Sequence, residues 1–202
     1  LNDIPSPYLN GLLDAFLHEG YQPMLETNRS CPYRCTFCAW GIGTEKLGKF
    51  DENRILKEIE YISERCPKTT TLFIADANFG VLERDKKFAA KIYEGHKKNG
   101  FPNWVAVQWN KTRSDRVINA AKEFKEISQV GVSMQSLNED TLRAVKRKNF
   151  SLSEVVKMKN ELSKYATKKW YSELILGMPY ETKESHIETI RKLIDLDMEV
   201  YV

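Results

Sequence analysis

Short apolar segments rich in β-branched and aromatic residues alternate with segments of helical periodicity along most of this chain. Six apolar segments have the length and composition of strands, and they span residues 22–28, 70–76, 103–109, 128–134, 171–177 and 199–202. Apolar side chains recur at helical spacing in residues 51–66, 83–100, 114–126 and 185–196. Strand followed by helix, repeated along the chain, predicts an α/β fold with a parallel sheet and helical crossovers. Periodicity does not distinguish a barrel from an open sheet.

Two of the predicted helices have recognisable ends. Gly100 follows one helix as a terminator, and Ser114 precedes another as an N-cap. Polar residues lie where the second, third and fourth predicted strands end, and one lies within the fifth. They are Asp76, Asn78, Gln108, Asn110, Ser133, Gln135 and Glu173. Each could simply cap a helix or form a turn, but the carboxyl ends of parallel strands are where ligands bind. The pattern therefore favours one shared site.

Length and composition fit a single globular domain. The chain has 202 residues, 42% of them hydrophobic and 29% charged, with a formal net charge of +3. This near balance does not by itself predict a nucleic-acid partner. No apolar run approaches the roughly 20 residues of a membrane span, and the first residues lack the features of a secretory signal. We expect a cytoplasmic protein with no membrane partner.

Three of the four cysteines lie within eight residues, in the segment CPYRCTFC that contains Cys31, Cys35 and Cys38. The spacing is too tight for ordinary disulfides and lacks the paired motifs of a structural zinc site. Thiolates suit iron–sulfur clusters or zinc, and a four-iron cluster with three protein ligands keeps one iron open for a substrate or cofactor. The alternative is a zinc site with a distant fourth ligand. Its candidates are Cys66, His18, His96 and His186. The three histidines lie in highly charged segments, so we expect them to be solvated surface residues.

A second alternative is a module that binds nucleic acid. The segments RAVKRKNF and KYATKKWY carry basic residues interleaved with Phe150, Tyr165 and Trp170, the combination that single strands contact. These charges fall on helical segments balanced by Glu, which favours a solvated helix face. Nucleic acid is therefore not the expected partner.

The cysteine segment matches the CxxxCxxC signature of the radical S-adenosylmethionine (SAM) superfamily, and the resemblance extends through nearly the whole chain. LFIADANFG resembles the second-strand element of that family, and ELILGMPYET resembles its fifth-strand motif. VGVSMQSLNEDTLRAVKR resembles a segment of the oxygen-independent coproporphyrinogen oxidase-like and cobalamin-binding branches. The leading IPSPYLNGLLD is typical of the segment that joins a cobalamin-binding domain to a radical SAM domain.

This resemblance implies a partial, TIM-like (β/α)6 barrel in residues 21–202, truncated near the sixth strand. Residues 1–20 would be a linker and helix that follow a cobalamin-binding domain absent from this chain. The resemblance implies that Cys31, Cys35 and Cys38 hold a [4Fe-4S] cluster. It also implies SAM as a cofactor, and cobalamin bound through the absent domain.

The resemblance further implies a set of SAM contacts at the strand ends. Asp76 and Asn78 would meet the amino group of SAM, and Arg147 its carboxylate, as a planar guanidinium suits bidentate pairing. From sequence alone, Arg147 is equally a solvated cation in the basic run KRKN. Relatives often have Glu at the position of Gln108. The implied SAM-binding residues are Phe37, Asp76, Asn78, Gln108, Ser133, Gln135, Arg147, Glu173 and Ile175.

The implied activity is reductive cleavage of SAM to a 5′-deoxyadenosyl radical, with electrons from a donor such as flavodoxin or ferredoxin. No residue is predicted to be a general acid or base for this step, and the substrate is not predicted. Within the family, IPSPYLNG favours a cobalamin-dependent methyltransferase. The alternative is a zinc- or iron–sulfur-bearing module that binds or modifies RNA, such as a methylthiotransferase-like protein.

Overall fold

The computed structural model describes residues 1–40, 46–165 and 168–202. The helices are α1 (Asp14–His18), α2 (Glu52–Arg65), α3 (Asp85–Asn99), α4 (Ser114–Phe124), α5 (Glu139–Ala144), α6 (Leu152–Leu162) and α7 (Lys183–Asp195). The strands are β1 (Met24–Leu25), β2 (Asn28–Arg29), β3 (Gly48–Lys49), β4 (Thr71–Phe79), β5 (Trp104–Trp109), β6 (Trp170–Glu173) and β7 (Met198–Tyr201). Two 3₁₀ turns, Lys125–Ile127 and Ser163–Tyr165, follow α4 and α6.

Parallel strands form the inner wall of the molecule in chain order. β1 pairs with β4 and β4 with β5, and β6 pairs with β7. The segment 128–135 joins the two groups through parallel bridges from Ser128 to Val105, from Gly131 to Tyr171 and from Gln135 to Leu174. Helices connect these strands on the outside. The α/β class and the partial six-stranded barrel predicted from the sequence are therefore confirmed.

The fourth predicted strand, residues 128–134, is not a continuous strand, because this segment pairs with its neighbours only through isolated parallel bridges. Its hydrogen bonds to β6 are present, since the Val132 N–H donates to the Tyr171 carbonyl at 2.9 Å. Gly131 permits the close approach of the Tyr171 ring, since a Cβ at this position would lie 2.2 Å from Cζ of that ring and the ring would have to move. The ring therefore lies across a backbone that has no side chain to oppose it.

Helix ends follow the capping rules, with one correction. Gly100 ends α3 in the left-handed region, with φ of 80°, as predicted. Ser114 is not the N-cap of α4, because Arg113 holds that position and the Ser114 hydroxyl donates to Glu154. α5 and α6 were not predicted, although Asn138 caps α5 and a Ser151 capping box begins α6.

Apolar side chains between the sheet and the helices form a single core. The inward faces of α2, α3 and α4 bury Ile55, Ile62, Phe88 and Phe124 completely or nearly so, and burial of this kind contributes most of the folding free energy. Phe124 stacks on Phe79 at a centroid distance of 5.7 Å. Within the described ranges, no helix is long and apolar enough to cross a membrane.

Residues 1–20 pack on the barrel. The buried Tyr8 hydroxyl donates to the Met24 carbonyl at 2.6 Å and accepts from the Met24 N–H at 3.0 Å, which holds this segment to the start of β1. Tyr61 of α2 donates to Asp14 of α1 at 2.7 Å.

The turn that follows β4 is held by a buried carboxyl group. Asp85 Oδ2 accepts from the Gly80 N–H at 2.8 Å and the Leu82 N–H at 3.0 Å, while Oδ1 has no hydrogen-bond partner in the described part of the chain. Burial raises the pKa of Asp85 to about 7, with Asp76 adding to the shift and Arg84 opposing it. The group is therefore partly protonated near neutral pH.

We expect Asp85→Asn to remove part of the pH dependence of the free energy of unfolding. The folded pKa of Asp85 lies above 3.8, its ordinary value. The contribution of Asp85 to the free energy of unfolding is therefore fully present below pH 3.8 and is lost as the pH rises through about 7. The difference in unfolding free energy between wild type and variant should change by about 2–4 kcal/mol between pH 4 and 8. Urea unfolding at several pH values measures it, with exposed Asp115→Asn as control. If the free energies of unfolding of wild type and Asp85→Asn differed by the same amount at every pH, this prediction would be contradicted.

Candidate functional site

The cysteine loop starts from a buried hydrogen-bond network around Asp76 of β4. Its carboxylate accepts from the Thr27 N–H at 2.7 Å, the Asn28 N–H at 3.1 Å and Asn28 Nδ2 at 2.6 Å. The Thr27 hydroxyl donates to the same group. Burial raises the pKa of Asp76 to about 6, and the hydrogen bonds from Thr27 and Asn28 oppose that shift. The side chain is 1% exposed, so Asp76 fixes the residues that enter the loop.

The middle of the loop is attached to two other parts of the barrel. The Tyr33 hydroxyl accepts from Asn110 Nδ2 at 2.8 Å and is also hydrogen-bonded to Thr112, both just beyond β5. The Thr36 N–H donates to the Val145 carbonyl at the end of α5, at 3.0 Å. Elements distant in sequence therefore determine the path of the loop.

All three loop cysteines face one cavity of about 580 Å³ at the carboxyl ends of the strands. Cys35 is buried, Cys31 and Cys38 are half-buried, and all are free thiols. Asn78 Nδ2 donates to Cys31 Sγ at 3.0 Å, and Lys111 Nζ donates to Cys35 Sγ at 2.8 Å. Two of the three sulfur atoms therefore accept a hydrogen bond from a nitrogen donor, and one of these donors is a cation.

A second cation, Arg147, lies beside the same cysteines. Its Nε donates to Asn149 Oδ1 at 2.8 Å and Nη2 donates to the Ser133 carbonyl. Burial lowers the pKa of Arg147, and Cys35 opposes that shift. Burial also lowers the pKa of Lys111, and the charge of Arg147 lowers it further. Cys35 and Cys31 raise the pKa of Lys111. Arg147 is half-buried while its neighbours Lys146 and Lys148 are exposed, so it is not a solvated cation.

The cavity brings together nearly all the residues predicted from the sequence. Ser133 donates to Glu173 Oε2 at 2.6 Å across the cavity wall, and Phe37 is exposed at the rim. Ile175 does not line the cavity, and its N–H donates to the Gln135 carbonyl at 3.0 Å. The predicted residues on the wall are Cys31, Cys35, Phe37, Cys38, Asp76, Asn78, Gln108, Ser133, Gln135, Arg147 and Glu173.

The candidate fourth zinc ligands lie elsewhere. None of them is among the described residues that line the cavity. Cys66 is buried, and burial raises its pKa to about 12, as suits a structural thiol. His96 Nδ1 is 2.8 Å from the Pro102 carbonyl oxygen. The expectation that His186 is a solvated surface residue is wrong, because it is buried with Nδ1 3.2 Å from Glu181 Oε2.

Among the wall residues that the sequence did not predict, Tyr33 and Lys111 contact the cysteine loop or belong to it. Both line the cavity, and Lys111 Nζ lies 4.5 Å from the centroid of the Tyr33 ring. Tyr33 lies inside the cysteine segment and Lys111 follows Asn110 at a strand end. Their places in the sequence, inside the cysteine segment and just after a strand, were therefore the signals that could have assigned them to the site.

The model of the radical SAM superfamily matches residues 25–193 of this chain. The chain belongs to the radical SAM superfamily. It is 37% identical to the cobalamin-dependent radical SAM methyltransferase TokK of Streptomyces tokunonensis, over 100% of this chain and 31% of that protein. It is 36% identical to the 2-(S-pantetheinyl)-carbapenam-3-carboxylate methyltransferase of Streptantibioticus cattleyicolor, over 98% of this chain and 31% of that protein. The chain therefore spans about a third of the length of these curated relatives.

A solved radical SAM structure has the same fold. The methyltransferase TsrM of Kitasatospora setae, solved with cobalamin and a [4Fe-4S] cluster, superposes with a TM-score of 0.67 at 14% identity. The match covers 92% of this chain and 35% of TsrM. The partial barrel is thus of the radical SAM type. Enzymes of this superfamily use a [4Fe-4S] cluster and SAM, and they need a reductant.

The residues present fit both cofactors. A cluster takes soft thiolates, and here three thiols share one wall with two half-buried cations that balance negative charge. In the part of the chain that the structure describes, no three His, Cys, Asp or Glu side chains are grouped to hold a single metal ion. A cavity of about 580 Å³ is within the range of small-molecule sites, and its wall carries charges of both signs, as SAM does.

Proposed function

We propose that this chain is the catalytic core of a radical SAM enzyme, with Cys31, Cys35 and Cys38 as the three protein ligands of a [4Fe-4S] cluster. One observation carries the proposal: three free thiols face a single cavity at the carboxyl ends of parallel strands, beside two cations. The fourth iron of the cluster is left for SAM. When bound, the reduced cluster supplies one electron to the SAM sulfonium, whose carbon–sulfur bond breaks to give methionine and a 5′-deoxyadenosyl radical.

The chain itself binds and orients SAM and keeps water from the radical. We assign the SAM carboxylate to Arg147, whose guanidinium is held in place by Asn149 and Ser133. Glu173, fixed by the Ser133 hydroxyl, is placed to accept from ribose hydroxyls. Gln135 and the exposed Gln108 complete the polar wall, and Phe37 covers the rim.

The carboxyl-terminal half of β4 contributes two residues to the site, and we assign them different roles. Asn78 donates to Cys31 and faces the cavity, so we retain it as a contact for the cluster and the SAM amino group. Both Asp76 oxygens are already hydrogen-bonded to Thr27 and Asn28. We therefore assign Asp76 to positioning the cysteine loop and not to SAM itself.

We propose that the whole protein is a cobalamin-dependent methyltransferase. The support is the two methyltransferases that share 37% and 36% identity with nearly all of this chain. These relatives favour this function over a methylthiotransferase. Residues 1–20 would then connect the core to a cobalamin-binding domain, and a flavodoxin or ferredoxin would supply the electron. Nucleic acid is not a proposed partner.

The test is reductive cleavage of SAM by anaerobically reconstituted protein with dithionite. We expect methionine and 5′-deoxyadenosine, measured by chromatography and mass spectrometry. The same assay on the whole protein with cobalamin should give labelled methylcobalamin from methyl-labelled SAM. A cluster that is reduced without any SAM cleavage would contradict the proposal.

Arg147→Ala should weaken SAM binding about 10- to 150-fold, which corresponds to about 1.5–3 kcal/mol for a hydrogen bond between charged groups in a sheltered site. Isothermal calorimetry on the cluster-loaded protein measures this. Arg147→Lys keeps the positive charge but loses the paired donors of the planar guanidinium. Its affinity for SAM should lie between those of wild type and Arg147→Ala. Lys148→Ala, which changes an exposed cation one residue away, is the matched control. An Arg147→Ala affinity equal to wild type, with the cluster intact, would remove Arg147 from the SAM site.

A further inference from the structure

Lys111 is a cation held against one particular cysteine. It lies two residues after the end of β5, and its Nζ is 2.8 Å from Cys35 Sγ and 4.5 Å from the centroid of the Tyr33 ring. Cys35 is the buried member of the three cysteines. The ammonium group therefore contacts the thiol that is best shielded from water, where a nearby charge has its largest effect.

The surroundings of Lys111 hold it in this position. Its aromatic neighbour Tyr33 is itself fixed by Asn110 and Thr112, the residues on either side of Lys111. In the described part of the chain, Lys111 forms no ion pair with a carboxylate, and its ammonium group contacts Cys35 Sγ and the Tyr33 ring. A half-buried lysine whose hydrogen-bond acceptor is a cysteine sulfur has little role in surface solvation or in ion pairing with carboxylates.

Arg147 differs from Lys111 in its attachments, although both cations face Cys35. Arg147 donates to Asn149, two residues further along the chain, and to Ser133 in the irregular fourth strand. Lys111 is attached through the cysteine loop itself, by way of Tyr33 and Cys35. The structure thus gives the two cations different partners, and the SAM contact proposed for Arg147 leaves Lys111 without a role.

Resting on the proposed function, we infer that Lys111 sets the reduction potential of the cluster by keeping a positive charge and an N–H donor at Cys35 Sγ. One electron from a low-potential donor takes the cluster from the 2+ to the 1+ state, with no bond made or broken and no proton required. Net charge, hydrogen bonds to sulfur and exposure to solvent set such potentials. A cation and a donor at a ligand sulfur stabilise the more negative, reduced state.

The test is a potentiometric titration of the 2+/1+ couple, followed by electron paramagnetic resonance in the absence of SAM. Lys111→Met keeps the aliphatic stem and removes the charge and the donor. We expect its midpoint potential to be more negative by about 60 mV or more, a loss of about tenfold in the reduction equilibrium constant. Lys111→Arg keeps both the charge and the donor, and it should shift the midpoint potential by less than a third of the shift in Lys111→Met. Lys169→Met makes the same charge change beside Asp197, at the amino end of β6, and should leave the midpoint unchanged.

Each outcome bears on one of the two proposals. A wild-type protein that takes up no iron or sulfide would refute the proposed function itself. A loaded Lys111→Met protein with the wild-type midpoint would overturn the role of Lys111 alone. The midpoint depends on the ratio of the two states, so partial loading does not prevent the measurement. Complete loss of the cluster in both Lys111→Met and Lys111→Gln would also overturn the inference, because Lys111 would then serve to build the loop.

Discussion

Replacement of Cys31, Cys35 or Cys38 with Ala will abolish the iron–sulfur absorbance of the reconstituted protein. Each cysteine would hold a separate iron, and a cubane that loses one of only three protein ligands is no longer retained. Iron and sulfide analysis should fall from about four of each per chain to near zero in all three variants. SAM cleavage should disappear with the cluster.

Cys66→Ala is the matched control for these variants. Cys66 is also a free, buried cysteine, but it packs in the core between the helices and the sheet and burial raises its pKa to about 12. We expect this variant to retain the cluster and to lose only some stability. Stoichiometric zinc without sulfide in the wild-type protein, or cluster loss in Cys66→Ala alone, would exclude the three-cysteine site.

Asp76→Ala should destabilise the chain by about 3–5 kcal/mol, because it leaves four buried donors without their acceptor. The donors are the N–H groups of Thr27 and Asn28 and the side chains of the same two residues. Urea unfolding near neutral pH measures the loss. Because these residues lead into the cysteine loop, we also expect cluster content to fall in parallel with stability.

The comparison for Asp76 is Asp115→Ala. Asp115 is an exposed carboxylate near the start of α4, 3.6 Å from Arg113, and exposed ion pairs contribute only about 0–1 kcal/mol. Its removal should therefore change the free energy of unfolding little. A cost below about 1 kcal/mol for Asp76→Ala, with a full cluster, would show that Asp76 does not position the loop.

The strand order and the location of the site were predictable from local patterns in the sequence. β5 (Trp104–Trp109) lies within the predicted segment 103–109, and β4 (Thr71–Phe79) extends three residues beyond the prediction. Their alternating burial is what period-2 patterns report. Polar residues at the strand ends met at one cavity because parallel strands place their carboxyl ends on the same side.

Other features depend on contacts between residues distant in the sequence. The close approach of a ring to Gly131 depends on Tyr171, 40 residues further along the chain. The role of Lys111 depends on a cysteine 76 residues earlier. α6 was a different kind of omission, because Ser151 and Glu154 form a capping box that is readable as S-x-x-E.

The attachments of the cysteine loop determine when its conformational entropy is lost. Contacts of Asp76 with Thr27 and Asn28, of Tyr33 with Asn110, and of Thr36 with Val145 involve no sulfur atom. Folding of the barrel therefore orders the loop through these contacts. In a zinc finger, by contrast, metal binding and folding are one event, and a chelator unfolds the domain. We therefore expect the free energy of metal–thiolate bonding to contribute little to ordering this loop, and cluster insertion and removal to occur on a folded scaffold.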